Sequence, residues 1–302
     1  MSSNSLIFLI FFLSLLPAQS SFPGLESWRH SQTIVFSGGG EMVTGGVSEF
    51  RNPGILPRLP DRVRFSLVSY PAGISAKSII YNGHSRQHYF GLKFQQLDYG
   101  SFAGRDENNG ITENYSSSDI EFKLTYARKN ISEKISWGVS MGLFISNLET
   151  VSASSLVFDS GLVLQIPKNI GYLGLSLENF GVVLADYTSR QESLPASLQL
   201  SYGFKLPYLP LELGVDLNSP LNNEARIMGL SGIFYLPYGL QFKLGYSSLN
   251  NKQRTDFHLL KDSLAALGLG LAFQNEFVNL ESGIYFYGPG GAVLALGLAL
   301  EY

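Results

Sequence analysis

Residues 118–127 read S-D-I-E-F-K-L-T-Y-A. Ile120, Phe122, Leu124 and Tyr126 take every second place, with Glu121, Lys123 and Thr125 between them. Successive side chains of a β-strand point to opposite faces, so a strand collects this apolar set on one side, whereas a helix scatters it around its circumference. The same alternation places Trp137, Val139, Met141 and Leu143 on one face, then Leu198, Leu200, Tyr202 and Phe204, then Leu267, Leu269, Leu271 and Phe273. From Arg62 onward about fourteen such runs follow one another. They span 62–70, 74–82, 87–99, 118–127, 135–147, 154–165, 171–179, 195–204, 210–218, 226–234, 239–247, 264–273, 277–287 and 292–302. The runs 154–165 and 226–234 alternate poorly. No amphipathic helix of useful length interrupts the series.

Many of these runs have about nine to twelve residues, the length of a tilted membrane strand, whereas soluble strands average about five or six. If the chain enters its first strand from the periplasm, the three longest connections, 100–117, 180–194 and 248–263, all face outside. The links at 83–86, 166–170, 205–209, 235–238 and 274–276 are short and face inside. Outer-membrane barrels have this asymmetry, and an even strand number returns both termini to the periplasmic side. The last strand carries Leu294, Leu296, Leu298, Leu300 and the terminal Tyr302 on one face. A barrel must close its first strand on its last, and in outer-membrane proteins such an ending resembles the signal read by the barrel-insertion machinery. Leu298, Leu300 and Tyr302 are therefore expected to carry that signal.

Composition narrows the class further. The 302 residues are 15% charged and 45% hydrophobic, with 32 Gly, 21 Phe and 16 Tyr. A soluble chain is about 25% charged. A secreted β-sandwich would also alternate, but its outer face should carry scattered Lys, Glu, Asp and Arg. Here the minor face of several runs is Gly, Ser and Ala with isolated charges, which suits a narrow lumen filled by a plug. The expected fold is thus an all-β, antiparallel, up-and-down transmembrane barrel in the outer membrane of a Gram-negative-type envelope, in contact with outer-membrane lipid. The net charge of −3 argues against a nucleic-acid partner. With no cysteine there is neither a disulfide framework nor thiolate chemistry.

Ahead of the barrel lie two different segments. Leu6–Leu16 read LIFLIFFLSLL, with Ala18 and Ser20 as small residues beyond it. The run is shorter than the roughly 20 apolar residues of a membrane-spanning helix. Residues 1–20 are read as a signal peptide, with a buried N-terminal helix as the alternative. Residues 21–61 are read as a periplasmic or plug segment of irregular structure. It contains Ser37-Gly38-Gly39-Gly40, Gly45-Gly46 and Asn52-Pro53-Gly54. Residues 62–302 are the barrel.

Little in the chain carries chemistry. His84 and His88 straddle a turn and have no third ligand at zinc spacing, so the four histidines are read as solvent-exposed polar residues. No nucleophile elbow, P-loop or H-E-x-x-H motif occurs. The Gly38-Gly39-Gly40 run lacks the Lys and Ser/Thr of a phosphate cradle, so tight turns or close wall packing are expected there. Asp106-Glu107-Asn108-Asn109 lacks EF-hand spacing and is read as a solvated outer loop. No catalytic set, cofactor or metal is expected. Glu121, Lys123, Glu212, Asp216, Lys243 and Glu281 face the lumen, where they line a path or pair with one another or the plug.

The order of these features resembles the PorV/PorQ family, which shares the long-chain fatty-acid transporter (FadL-like) barrel class. Asn52-Pro53 after the glycine-rich segment resembles that class's N-P-A element, with Gly54 in place of Ala. Between Phe90 and Gly181 the resemblance rests on Tyr126-Ala127-Arg128, Asn147-Leu148-Glu149, Phe158-Asp159-Ser160-Gly161-Leu162 and Leu177-Glu178-Asn179-Phe180-Gly181. Leu194-Pro195 follows, and Leu97-Asp98-Tyr99-Gly100 is similar to the PorQ-like branch. The resemblance implies a non-enzymatic component of type IX secretion that docks other secretion and surface-attachment proteins through outer loops. The candidate docking loop is 100–117, with Phe102, Arg105, Asp106, Glu107 and Ile111. The plug motif is Gly38, Gly39, Gly40, Asn52 and Pro53. The alternative is a FadL-like transporter of long-chain fatty acids or other hydrophobic small molecules. An outer-membrane enzyme is a third reading, without a nucleophile–base pair to support it.

Overall fold

The structure is a computed structural model that describes residues 22–45, 49–105, 110–130, 133–167, 170–188, 192–222, 224–255 and 259–302. The signal-peptide reading of residues 1–20 lies outside them. Fourteen strands follow in chain order among the described residues. They are β1 (Arg62–Ser69), β2 (Ser75–Ser85), β3 (His88–Phe102), β4 (Tyr115–Lys129), β5 (Ile135–Leu148), β6 (Val151–Gln165) and β7 (Gly171–Ala185). Then come β8 (Ser197–Lys205), β9 (Leu211–Pro220), β10 (Ile227–Tyr235), β11 (Leu240–Ser247), β12 (Leu267–Gln274), β13 (Val278–Phe286) and β14 (Ala292–Glu301). Each is antiparallel to its neighbours, and the sheet closes through β1 and β14, from Arg62↔Glu301 to Ser69↔Leu294. All fourteen runs read from the alternation are strands, with ends shifted by a few residues. Among the described residues no helix is long and apolar enough to cross a membrane; the strands do so.

The two faces are inverted relative to a soluble protein. On β4, Phe122 is 45% exposed while Glu121 and Lys123 are 5% and 4% exposed. Belts of Leu, Phe, Val and Met point outward from every part of the wall, as expected of a surface solvated by lipid. Aromatic side chains gather near the short-turn end: Tyr126 packs against Phe90 and Trp137, and Tyr81 stacks on the terminal Tyr302. Such amphipathic rings favour the membrane–water interface.

The wall is uneven in height. Strands β3–β7 have 14 or 15 residues, whereas β8–β14 have 8 to 10. At the step, the β7–β8 ladder ends at Glu178↔Ser197, so residues 179–185 pair only towards β6. A bulge sits at the same point, between Phe158 and Ser160 of β6, with Asn179 opposite in a left-handed conformation. The Asn179 N–H donates to the buried Asp159 Oδ1 at 2.9 Å, which satisfies the group that the bulge frees.

Residues 22–45 and 49–61 fill much of the lumen. Two short helices, Pro23–Glu26 and Ser31–Val35, and a 3-10 helix, Pro53–Arg58, are separated by turns. Towards the short-turn end Met42, Phe50, Ile55, Leu56 and Leu59 pack with Ile80, Ala127 and Val163 of the wall. Val35, Phe36 and Val43 pack with Ile233. Nearer the long-loop end, Ile34 and Trp28 join Val68, Leu97, Tyr285 and Val293, while Phe22 meets Phe144, Ala153 and Val157. This interior apolar packing explains the two poorly alternating runs: Val157 and Val163 of β6 and Ile233 of β10 point inward because plug side chains cover them. The segment also lies directly on the strand backbone. A Cβ at Gly245 would come within 2.2 Å of the Phe36 carbonyl carbon, so only glycine permits that approach.

Candidate functional site

Two wall carboxylates hold the plug. The Gly38-Gly39-Gly40 turn has positive φ at Ser37, Gly38 and Gly40, and it turns the amides of Gly40 and Glu41 towards Asp216 on β9, at 2.7 and 3.4 Å. Successive backbone N–H groups of this kind form an anion nest; here the anion is the protein's own side chain. Ser37 hydrogen-bonds Ser247 at 2.8 Å and donates to the Ala266 carbonyl at 2.8 Å. Four residues along the same face of β9, Glu212 accepts from the amides of Thr44 (2.7 Å) and Gly45 (3.1 Å) and from the Tyr235 hydroxyl (2.6 Å). Asn52 caps the 3-10 helix by accepting from Gly54 N at 2.9 Å, and Ser136 donates to the Gly54 carbonyl at 2.7 Å. Pro53 lies against Gly138, and Asn52 against Gly161, on the inward faces of β5 and β6.

Charged groups of the plug and of the wall pair in the lumen. Arg29 bridges Glu121 at 3.2 Å, and Lys123 bridges Glu121 at 3.0 Å and Asp159 at 2.7 Å. Arg51 lies 3.3 Å from Glu49, and Lys243 is bonded to Glu281. Burial pushes the His30 imidazole down to about 4, so it is neutral at physiological pH. There its Nδ1 accepts from the Gln32 amide at 3.3 Å and caps the second helix. The expectation of solvent-exposed histidines therefore fails at His30, which is fully buried. His84 and His88 are exposed, as expected, and bond Asp61 and Tyr126 at 2.7 and 2.8 Å; His258 lies outside the described residues. Burial, together with Glu178, pushes the Glu41 carboxyl well above the usual range.

Beside the N-terminal part of the plug is a cavity of about 170 Å³. Its floor is formed by Lys93, Gln95, Glu121 and Lys123, and its inner side by Trp28, Arg29, Gly38 and Arg51. It runs up past Asp159, Glu178, Ser197 and Asp216 to Pro220, Glu224 and Leu249 at the long-loop end, beside the low sector of the wall. Alternation identified Glu121, Lys123 and Asp216 among these as facing inward. Lys93 and Gln95 went unnoticed as site residues, because nothing local distinguishes them from other inward polar positions.

The remaining candidate residues lie apart from this cavity. Phe102 stacks on Tyr115 with ring centroids 5.3 Å apart, Arg105 bridges to Ile111, and Ile111 is 85% exposed. These three share the extension beyond β3 and β4, while Asp106 and Glu107 lie outside the described residues. At the other end of the barrel, Leu298 and Leu300 share the outer face of β14, where Leu300 is exposed, and the Tyr302 hydroxyl donates to the Asn82 carbonyl at 3.3 Å. Among the described residues no group of His, Cys, Asp or Glu is arranged to hold a metal ion.

No protein-family model matches the chain, and neither does any curated protein. Solved structures do. The chain is similar to the TodX monoaromatic hydrocarbon channel in its ΔS2 mutant form, with TM-score 0.60 and 13% identity, covering 92% of this chain and 99% of that one. The Pseudomonas putida toluene transporter TodX gives 0.57 and 13% over the same shares. A Pseudomonas aeruginosa FadL homologue gives 0.51 and 10%, covering 90% of this chain and 98% of that one. At such identities the likeness is one of fold, that of FadL-type outer-membrane barrels.

Proposed function

We propose that this chain is an outer-membrane conduit that takes up small organic molecules, with its N-terminal segment as the plug. The observation that carries the reading is the division of the lumen: Met42 and residues 50–59 packed on the wall towards the short-turn end, and a cavity beside residues 25–39 that reaches the long-loop end. A solute entering from outside meets a chamber with a floor, so passage requires the plug to shift. Support at the level of fold comes from neighbours named for a monoaromatic hydrocarbon channel and a toluene transporter. A second reading, docking of type IX secretion partners through the loop beyond β3 and β4, draws on the PorV/PorQ resemblance and on the exposed Ile111. In either role the last strand serves the barrel-insertion machinery and the outer face meets membrane lipid.

A disulfide lock tests the conduit. Ser37 and Ser247 approach at 2.8 Å between hydroxyls, and the chain has no cysteine of its own. In the Ser37→Cys/Ser247→Cys variant, oxidation should tie the plug to β11 and stop toluene uptake into proteoliposomes, and reduction should restore it. Uptake that continues with the bond formed would overturn the plug-gated conduit.

A further inference from the structure

A second concavity lies on the outside of the wall, away from the lumen. It is a groove of about 450 Å³ over strands β3 to β6, lined by Phe90, Leu92, Leu124, Val139, Met141 and Phe158. All six belong to the outward face of their strands. The register arranges that face in cross-strand rows. Leu92, Leu124, Met141 and Phe158 stand side by side in one, and Phe90, Tyr126 and Val139 in the next towards the short-turn end. An apolar groove on a wall that faces lipid takes hydrocarbon.

The row after that changes character. His88, Arg128 and Trp137 stand in register there. Arg128 shares the outward face with Leu124 and Tyr126, because residues two and four apart on a strand point the same way. It sits about 7 Å along the wall from Tyr126. Its guanidinium is exposed and has no carboxylate partner among the described residues; its one side-chain hydrogen bond is long, 3.5 Å to Gln87 Oε1. Aromatic groups bracket it. Tyr126 packs against Trp137 with centroids 5.8 Å apart, and its hydroxyl lies 2.8 Å from His88 Nδ1. Residues 85–89 and 128–136, which include the two adjoining turns, add Arg86, Lys129 and Lys134 against Glu133 alone. Rings of this kind mark the membrane–water interface, and a guanidinium offers phosphate a planar, two-pronged set of donors. An amphiphile with its chain in the groove therefore brings its polar group to Arg128, in surroundings with an excess of positive charge.

We propose that the outer wall of β3–β6 holds an anionic phospholipid of the leaflet at the short-turn end, with an acyl chain in the groove and its phosphate on Arg128. The site does not depend on what the lumen does, so it stands or falls apart from the conduit reading. Tryptophan fluorescence tests it. The chain has two tryptophans, Trp28 in the plug and Trp137 beside Arg128, so Trp28→Phe leaves Trp137 as the reporter. In vesicles of brominated phosphatidylcholine the bromine quenches Trp137, and unbrominated lipid that displaces it restores the signal. Phosphatidylglycerol should do so at roughly one tenth of the mole fraction that phosphatidylcholine requires, the ratio expected for one charge-assisted hydrogen bond. Arg128→Gln should make the two lipids equal, while Arg128→Lys, which keeps the charge, should keep a preference. Val139→Phe narrows the groove and should weaken it. Lys77→Gln, on the outward face of β2 at the opposite end of the wall, should leave it unchanged. Equal recovery by both lipids in the Trp28→Phe barrel, a preference that survives Arg128→Gln, or the same loss from Lys77→Gln would each overturn the site. A preference untouched by Val139→Phe would remove the groove from it.

Discussion

Asp216, Glu212 and His30 do their work through hydrogen bonds to plug backbone, each in a different way. The two carboxylates accept from amides of the Gly40 and Gly45 turns, whereas the imidazole of His30 accepts only while neutral. Its folded pKa of about 4 lies below the ordinary value of 6.5, with burial as the main cause and the charges of Glu49, Arg64, Glu281 and Lys93 around it. The stability it contributes is fully present above pH 6.5 and is lost as the pH falls towards 4, because the unfolded chain binds the proton first. His30→Asn keeps a capping acceptor and removes the titration. Between pH 6.5 and 4 the wild type should lose thermal stability that the variant keeps; parallel melting curves across that window would refute the assignment.

At the scale of the strand, the inward face mixes three kinds of position. Charged residues pair, apolar ones such as Val163 and Ile233 meet the plug, and glycines let its backbone touch the wall. Gly245→Ala on β11 places a methyl against the Phe36 main chain, which has no flexible end to move aside. Overpacking of this kind costs about 1–3 kcal/mol. Hydrogen exchange should quicken across residues 31–45 while the barrel ladder stays protected. Gly232→Ala on β10 serves as the control: it points outward and meets chiefly the end of the Leu213 side chain. If both variants leave exchange in 31–45 unchanged, the close approach is not what seats the plug.

For the whole molecule, the stepped wall separates the two functional readings in space. The tall sector, β3–β7, carries Phe102, Arg105 and Ile111 at its long-loop end, and the low sector, β8–β10, borders the cavity. Deleting residues 103–114 should therefore leave the heat-modifiable barrel intact, since the β3–β4 ladder below Asp98↔Ser118 is untouched. Under the docking reading the same deletion abolishes copurification of secretion partners from outer membranes. Partner retention equal to wild type would remove that loop as the docking surface.

Alternation with a period of two is a local property, and lipid imposes an apolar outer face on every strand regardless of what fills the barrel. The sequence by itself therefore determined the fourteen strands, their inward and outward sets, the short and long turns, and the need for closure at Tyr302. Glu121, Lys123, Glu212, Asp216, Lys243 and Glu281 were legible as lumenal for the same reason. Their partners were not. That Asp216 holds the Gly40 turn 176 residues away, that His30 is buried, and that Lys93 faces Lys123 across the ladder all depend on register, closure and the path of the plug. Only the tertiary structure decided these, because the energy of a buried charge is set by which groups the fold brings within a few ångströms of it and not by its neighbours along the chain.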